Sequence, residues 1–381
     1  MNLSHRLPSP DFHFLLDIDS KLVYAVAALA SLGMVMLASS SIDFAAASYG
    51  EPWYFVKKQL IFMAMGIALA VLVAAVPMVL WQRYAVCLLL LSLLLLIIVL
   101  LPGVGKSVNG SQRWLPLGPF SMQASEIAKF GVVVFFASYL SRRLDAVRYG
   151  WLPFMIMVTT IALTAVLLLL EPDFGSAFVL GLTLCIMMFA AGVPILRFLL
   201  LTLLGMASFA ALAVLSPYRW KRLVTFMDPW SQQFDSGYQL VQSLIAFGRG
   251  EWFGLGLGNS LQKLFFLPEA HTDFIFAIYA EEFGLVGAVL LIGLYGFFLF
   301  RVLINARLAA NQQQHFAYFL LLGFACMMGI QSFINMGVAS GLLPTKGLTL
   351  PFISYGGSSM LITYAIVALL LRASYEVRRG Q

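Results

Sequence analysis

Apolar runs of about twenty residues, nearly free of charge, recur along this chain, and very few folds can hold them. They lie at Leu22–Ser41, Leu60–Val76, Tyr84–Leu101, Ala124–Leu140, Leu152–Leu170, Phe174–Ala191, Ile195–Leu215, Phe274–Phe300, Phe316–Met336 and Ser354–Leu371. A helix crossing the hydrocarbon of a bilayer needs roughly 20 such residues, a barrel strand only about 9–11. Lipid admits no other spanning structure, because each backbone polar group must be satisfied within the protein. The runs are too long for barrel strands, so the chain is predicted to be an all-α integral membrane protein with ten transmembrane helices. Composition agrees, at 61% hydrophobic and 10% charged over 381 residues, against about 25% charged in soluble domains.

The first run begins only after a polar segment, Met1–Ser20, which contains Pro8 and Pro10. It reads as a cytoplasmic tail before a retained helix, without the features of a cleaved signal. Lysine and arginine in short connections mark the cytoplasmic side. The Arg142–Arg148 and Arg372–Arg379 clusters accordingly place both termini in the cytoplasm. One connection is long: residues 216–272, between the seventh and eighth helices, contain no spanning run and fall outside. A long ordered loop in a compact protein usually carries function. No linker or repeat divides the chain, so residues 1–381 read as one domain. Cys87, Cys185 and Cys326 lie scattered in apolar runs, which suits neither a disulfide framework nor a metal site. The net charge of +6 is a topology signature, and no nucleic-acid partner is expected.

Ionisable groups inside spans are costly and are functional candidates by default. Glu126 and Lys129 share one helix face at i,i+3, where they can also simply neutralise each other. Glu171 and Asp173 bracket Pro172 in a tight outer turn. Asp273 opens the eighth run in His271-Thr272-Asp273-Phe274, a position that the helix dipole favours for an acid. Glu281 and Glu282 follow roughly 12 Å deeper at 1.5 Å per residue and need partners, for which Lys129 and Lys346 are candidates. Residues 343–359, rich in Pro, Gly and hydroxyls with Lys346 as their only charge, suit a fixed non-helical segment facing a cavity. These charges gather towards the outer leaflet, whereas a transporter binds substrate near the midplane.

Three motifs mislead. Gly254-Leu255-Gly256-Leu257-Gly258 lacks the spacing and βαβ context of a dinucleotide loop. Gly103-Val104-Gly105-Lys106-Ser107 ends like a phosphate-binding loop but lacks its first glycine, since Leu100 stands there. Asn109-Gly110-Ser111 fits a glycosylation pattern that carries little weight alone.

Longer motifs are specific. Arg222-Leu223-Val224-Thr225-Phe226-Met227-Asp228-Pro229-Trp230 leads to Gly237-Tyr238-Gln239-Leu240-Val241-Gln242-Ser243, then Phe247-Gly248-Arg249-Gly250-Glu251 and Gly256-Leu257-Gly258-Asn259-Ser260-Leu261-Gln262-Lys263. Leu267-Pro268-Glu269-Ala270-His271-Thr272-Asp273-Phe274 runs on into Glu281-Glu282. Together with Arg113-Trp114 and Ser125-Glu126-Ile127-Ala128-Lys129, these resemble the SEDS family of peptidoglycan polymerases, and Leu343–Ser359 resembles its FtsW division branch.

The resemblance implies a ten-helix glycosyltransferase that polymerises lipid II into glycan strands for septal wall synthesis, at the outer face of the bacterial inner membrane. It maps the essential acid onto Asp273. It also implies a class B penicillin-binding transpeptidase partner of the FtsI type, with further division proteins of the FtsQ, FtsL and FtsB type. A carboxylate can take the proton of the acceptor hydroxyl, and the departing pyrophosphate needs cations. Lys346, Arg113, Lys129, Arg219 and Arg222 are the cationic candidates, with Glu126, His271, Thr272, Glu281 and Ser354 as further substrate-binding candidates. Asp273 could instead ligate a divalent cation, Mg or Mn. A lipid II flippase and a non-catalytic division scaffold are the rival readings.

Overall fold

The computed structural model describes residues 18–108, 111–118 and 120–380. Most of the tail expected over Met1–Ser20 lies outside the described residues, as do Asn109 and Gly110 of the glycosylation pattern and the side chain of Arg219. The helices are α1 (Ser20–Tyr49), α2 (Tyr54–Ala75), α3 (Met78–Arg83), α4 (Ala85–Leu100), α5 (Ala124–Arg142), α6 (Leu144–Tyr149) and α7 (Trp151–Leu170). They continue with α8 (Phe174–Ala190), α9 (Ile195–Val214), α10 (Pro217–Met227), α11 (Tyr238–Gly250), α12 (Ile275–Asn311), α13 (His315–Ala339) and α14 (Gly357–Arg379). Among the described residues eight helices are long and apolar enough to cross a membrane, and α4 and α8 are shorter apolar helices.

The all-α expectation needs one correction. Strands β1 (Lys106–Val108), β2 (Ser111–Leu117) and β3 (Phe120–Gln123) form a small antiparallel sheet in the order β1-β2-β3. The segment between α4 and α5 is too polar and too rich in Pro and Gly to span. Paired into hairpins, its backbone groups satisfy one another.

Helices α5, α13 and α14 form the interior, and α2 packs along α14, α4 along α5, and α12 along α13. Helix α9 differs, with no buried residue among those described. At one end of the bundle Asp19 caps α1 and binds Arg301 at 2.8 Å, Arg378 at 2.5 Å and Asn305 at 3.0 Å. This ties together the ends of α1, α12 and α14. At the opposite end the connections of residues 215–274 and 340–356 fold over the helices.

Both connections reach down into the bundle. Helix α12 breaks at Gly284, whose φ of 67° and ψ of −167° are not helical. The chain 251–256 fills the break. Leu255 and Gly256 donate to the carbonyls of Glu281 and Glu282 at 3.0 Å, and Leu285 and Val286 donate to those of Glu251 and Trp252 at 2.9 and 3.1 Å. A Cβ on Gly284 would lie 2.4 Å from the Gly254 nitrogen, and one on Gly254 would lie 2.2 Å from the Glu282 carbonyl. The glycine run around Gly254 is thus a packing device. The 340–356 segment descends further: the Tyr295 hydroxyl of α12 donates to the Pro351 carbonyl, and the rings of Phe298 and Phe352 lie 5.7 Å apart.

Candidate active site

Irregular backbone enclosed by apolar helices must find its hydrogen bonds in side chains, and this requirement builds the site. Three successive carbonyls before α12 are held from the 340–356 segment and from α13. The Tyr355 amide donates to His271 O at 3.0 Å, the Ser354 hydroxyl to Thr272 O at 2.6 Å, and the Asn335 amide to Asp273 O at 2.9 Å. Asn335 also donates to Leu348 O at 2.5 Å, so one buried side chain joins both connections. The His271 ring packs among Phe44, Phe55 and Tyr355, 4.5 Å from the Phe55 centroid. Burial lowers its pKa against an upward pull from Glu269, which keeps the imidazole neutral near pH 7. Thr272 turns its hydroxyl back onto Glu269 at 2.7 Å.

The backbone of Asp273 is therefore fixed, and its carboxylate projects against Gly347. A Cβ added at Gly347 would lie 3.0 Å from Asp273 Oδ2, so any side chain there would crowd the acid. Part of the Asp273 side chain reaches solvent, yet protein surrounds it closely enough that burial is the largest influence on its pKa. Burial and then Glu269 push it up to about 7, while Arg222 and Arg113 pull it down. A carboxyl poised near neutrality is suited to proton transfer.

The cations come from separate elements. Arg222 of α10 donates to Thr345 O at 3.3 Å, and Lys346 lies 5.1 Å from the centroid of the Phe174 ring. Arg113 of β2 donates through Nε to Glu171 O at 2.9 Å and through Nη2 to Pro172 O. The backbone of Arg219 lies one turn before Arg222 in α10. The sheet is pinned further by Gln123, which donates to Asp173 at 3.3 Å while Asp173 caps α8. Between these anchors Glu171 is fully buried, and neither carboxylate oxygen has a hydrogen-bond partner among the described residues. Burial first, and then Asp173, push its pKa up to about 8 against Arg113.

The other sequence candidates stand back from this cluster. Lys129 is buried, 2.8 Å from Glu126 and 2.9 Å from Gln331, and Gln331 in turn donates to Thr349 O at 2.9 Å. The pair thus braces the 340–356 segment from behind. The partners expected for Glu281 and Glu282 are corrected: neither Lys129 nor Lys346 supplies them. Arg249 lies 3.2 Å from Glu281, which also accepts from Ser260, Leu261 and Gln262. Lys263 lies 3.1 Å from Glu282, and Ser39 donates to the same carboxylate at 2.5 Å. The long connection carries its own cations to these acids because both insert together. Asn335 and Gln331 escaped the sequence reading, although a lone amide in an apolar helix is a signal that it seeks a partner.

The family described as "Cell cycle protein", which takes in FtsW, RodA and SpoVE, matches residues 20–379. The chain belongs to this family. Among its FtsW members, the "Probable peptidoglycan glycosyltransferase FtsW" of Saccharophagus degradans is 61% identical over 362 residues, 95% of this chain and 94% of the relative. The protein of the same description from Halorhodospira halophila is 47% identical over 365 residues, 96% of this chain and 92% of the relative. Among solved structures, a chain from a study titled "Structural coordination of polymerization and crosslinking by a peptidoglycan synthase complex" superposes with a TM-score of 0.78 at 33% identity. That match covers 96% of this chain and 99% of the other. The crystal structure of the Thermus thermophilus rod shape determining protein RodA gives 0.70 at 30% identity, covering 95% and 98%.

Proposed function

We propose that this FtsW-type chain is a peptidoglycan glycosyltransferase that joins lipid II units into glycan strands, with Asp273 as its general base. The observation carrying the proposal is the geometry of the site: Asn335 holds the Asp273 backbone at 2.9 Å, the carboxyl faces Gly347, and burial raises its pKa against the pull of Arg222 and Arg113. The acceptor's 4-hydroxyl oxygen bonds to C1 of the donor sugar as the bond from C1 to the pyrophosphate oxygen breaks. The proton goes to the Asp273 carboxylate, and the electron pair leaves with the pyrophosphate. Arg113, Arg222 and Lys346, donors on three different elements, stabilise that developing charge.

The eight long helices with α4 and α8 make ten crossings, with the Asp19 end in the cytoplasm and Asp273 at the outer face. The polyprenyl tail then stays in lipid while the head group meets the folded connections. Helix α9, with no buried residue among those described, leaves lipid close to that region. The likeness to the synthase-complex structure supports a class B transpeptidase partner, and the pair works at the division septum in this reading. In the alternative role, as ligand instead of base, the Asp273 carboxylate would hold a magnesium or manganese ion, since Mg²⁺ commonly takes one or two carboxylates plus substrate phosphates. Among the described residues no three His, Cys, Asp or Glu side chains converge. Such an ion would neutralise the leaving group.

The test is to give labelled lipid II to the purified chain, with and without its transpeptidase, and resolve the products on a gel. Glycan ladders from the complex are expected, and EDTA separates the base role from the ligand role. A folded complex that makes no polymer would overturn the reading.

A further inference from the structure

At the end of the bundle that holds Asp19, a cavity of about 560 Å³ opens between α5, α6 and α13. Ser141, Arg142, Arg143, Asp145 and His315 line it, so its wall is polar and cationic. The acid does not neutralise it: the Asp145 carboxylate is largely exposed and leans to Arg148 at 3.6 Å. Arg142 donates to Gln82 O, which anchors its guanidinium at the rim. Among the described residues Arg143 enters no ion pair. His315 begins α13, whose first turn holds no acidic residue and has no side-chain cap.

The surroundings set the level of this cavity in the membrane. Tyr149 and Trp151 are exposed beside it, and Arg197 lies 4.3 Å from the Trp151 ring while donating to Gly150 O at 3.0 Å. Exposed aromatic residues of this kind collect at headgroup depth, with arginines snorkelling to the same level. Just beyond them Leu152 is 74% exposed, where acyl chains would lie. Basic pockets between transmembrane helices on the cytoplasmic side are suited to anionic lipid headgroups.

We infer that the cavity between α5, α6 and α13 is a binding site for the phosphate headgroup of an anionic phospholipid of the inner leaflet. The phosphate sits between Arg143 and His315, with Arg142 at the rim, and offsets the charge of the two arginines. The acyl chains run along the exposed apolar face at Leu152. The lipid thereby clamps the cytoplasmic ends of α5 and α13, the two helices that carry Lys129, Gln331 and Asn335 at their other ends.

The full chain purified in mild detergent tests this by native mass spectrometry with phosphatidylglycerol or phosphatidylcholine. The wild type is expected to retain phosphatidylglycerol preferentially. The double variant Arg143→Gln, His315→Gln is expected to lose about tenfold of that retention. Arg307→Gln removes an exposed arginine outside the cavity lining and should change little. If the double variant does not fold, Arg143→Gln alone makes the same comparison. Equal losses from Arg307→Gln and from the cavity variants would reduce the effect to diffuse charge and overturn the site. Glycerol 3-phosphate bound as tightly as the lipid would assign the cavity to a soluble phosphate, which overturns the lipid as occupant.

Discussion

Two carboxyls with opposite duties stand close to Arg113. Asp273 must lose its proton to serve as a base, and its pKa of about 7 sets where that happens. Polymerisation is expected to fall about tenfold per pH unit below 7 and to level off above it. Initial rates between about pH 5.5 and 8.5 check this, and a flat profile would contradict it. Glu171 is a liability when charged. Its folded pKa is raised from 4.5 to about 8, so the folded state holds its proton more tightly than the unfolded chain. Stability is therefore lost progressively as pH rises from the lower value to the upper one. Glu171→Gln removes that cost: its gain should be absent near pH 4 and reach on the order of 2–4 kcal/mol above pH 8. Thermal unfolding at both pH values checks the trend. The long motif around Asp273 singles that acid out in the sequence. The isolation of Glu171 was not legible, because a turn acid reads as solvated until the sheet and α8 are seen to close over it.

Each of the ten apolar runs contains a helix, because periodic, uncharged sequence is read locally. What the runs conceal is long-range. Gly284 closely follows the Glu281-Glu282 pair inside an apolar run and looks like an ordinary helix glycine. The break exists because residues 251–256 supply the hydrogen bonds that the helix gives up. The same reasoning explains Asn335, which looks like one polar residue in α13 yet donates to Asp273 O and Leu348 O. Asn335→Ala leaves two enclosed carbonyls without that donor, at about 1–3 kcal/mol each. It should lower polymerisation at least tenfold while lipid II binding changes only a few-fold. Equal losses of binding and rate would mean that the clamp holds the substrate and not the acid.

Over the whole molecule the polar residues divide into two ends with different tasks. At one end Asp19 gathers Arg301, Asn305 and Arg378. Burial alone would raise its pKa, but hydrogen bonds from Asn305 and Arg301 and the charges of Arg378 and Arg301 outweigh it and lower the pKa. A lowered carboxylate contributes stability above its unfolded pKa of about 3.8 and loses it as pH falls through the folded value. Asp19→Asn leaves two arginines without their carboxylate, and a loss of about 2–4 kcal/mol is expected in thermal unfolding at pH 7. Unchanged stability would mean that the Asp19 cluster does not hold the ends of α1, α12 and α14 together. At the other end, two folded connections converge to fix one acid among cations. The most direct measurement is the initial rate of lipid II polymerisation by the Asp273→Asn complex, with lipid II binding followed in parallel. A rate lower by about 10²–10⁴-fold with binding retained is expected; polymerisation at the wild-type rate would contradict the role of Asp273 as base.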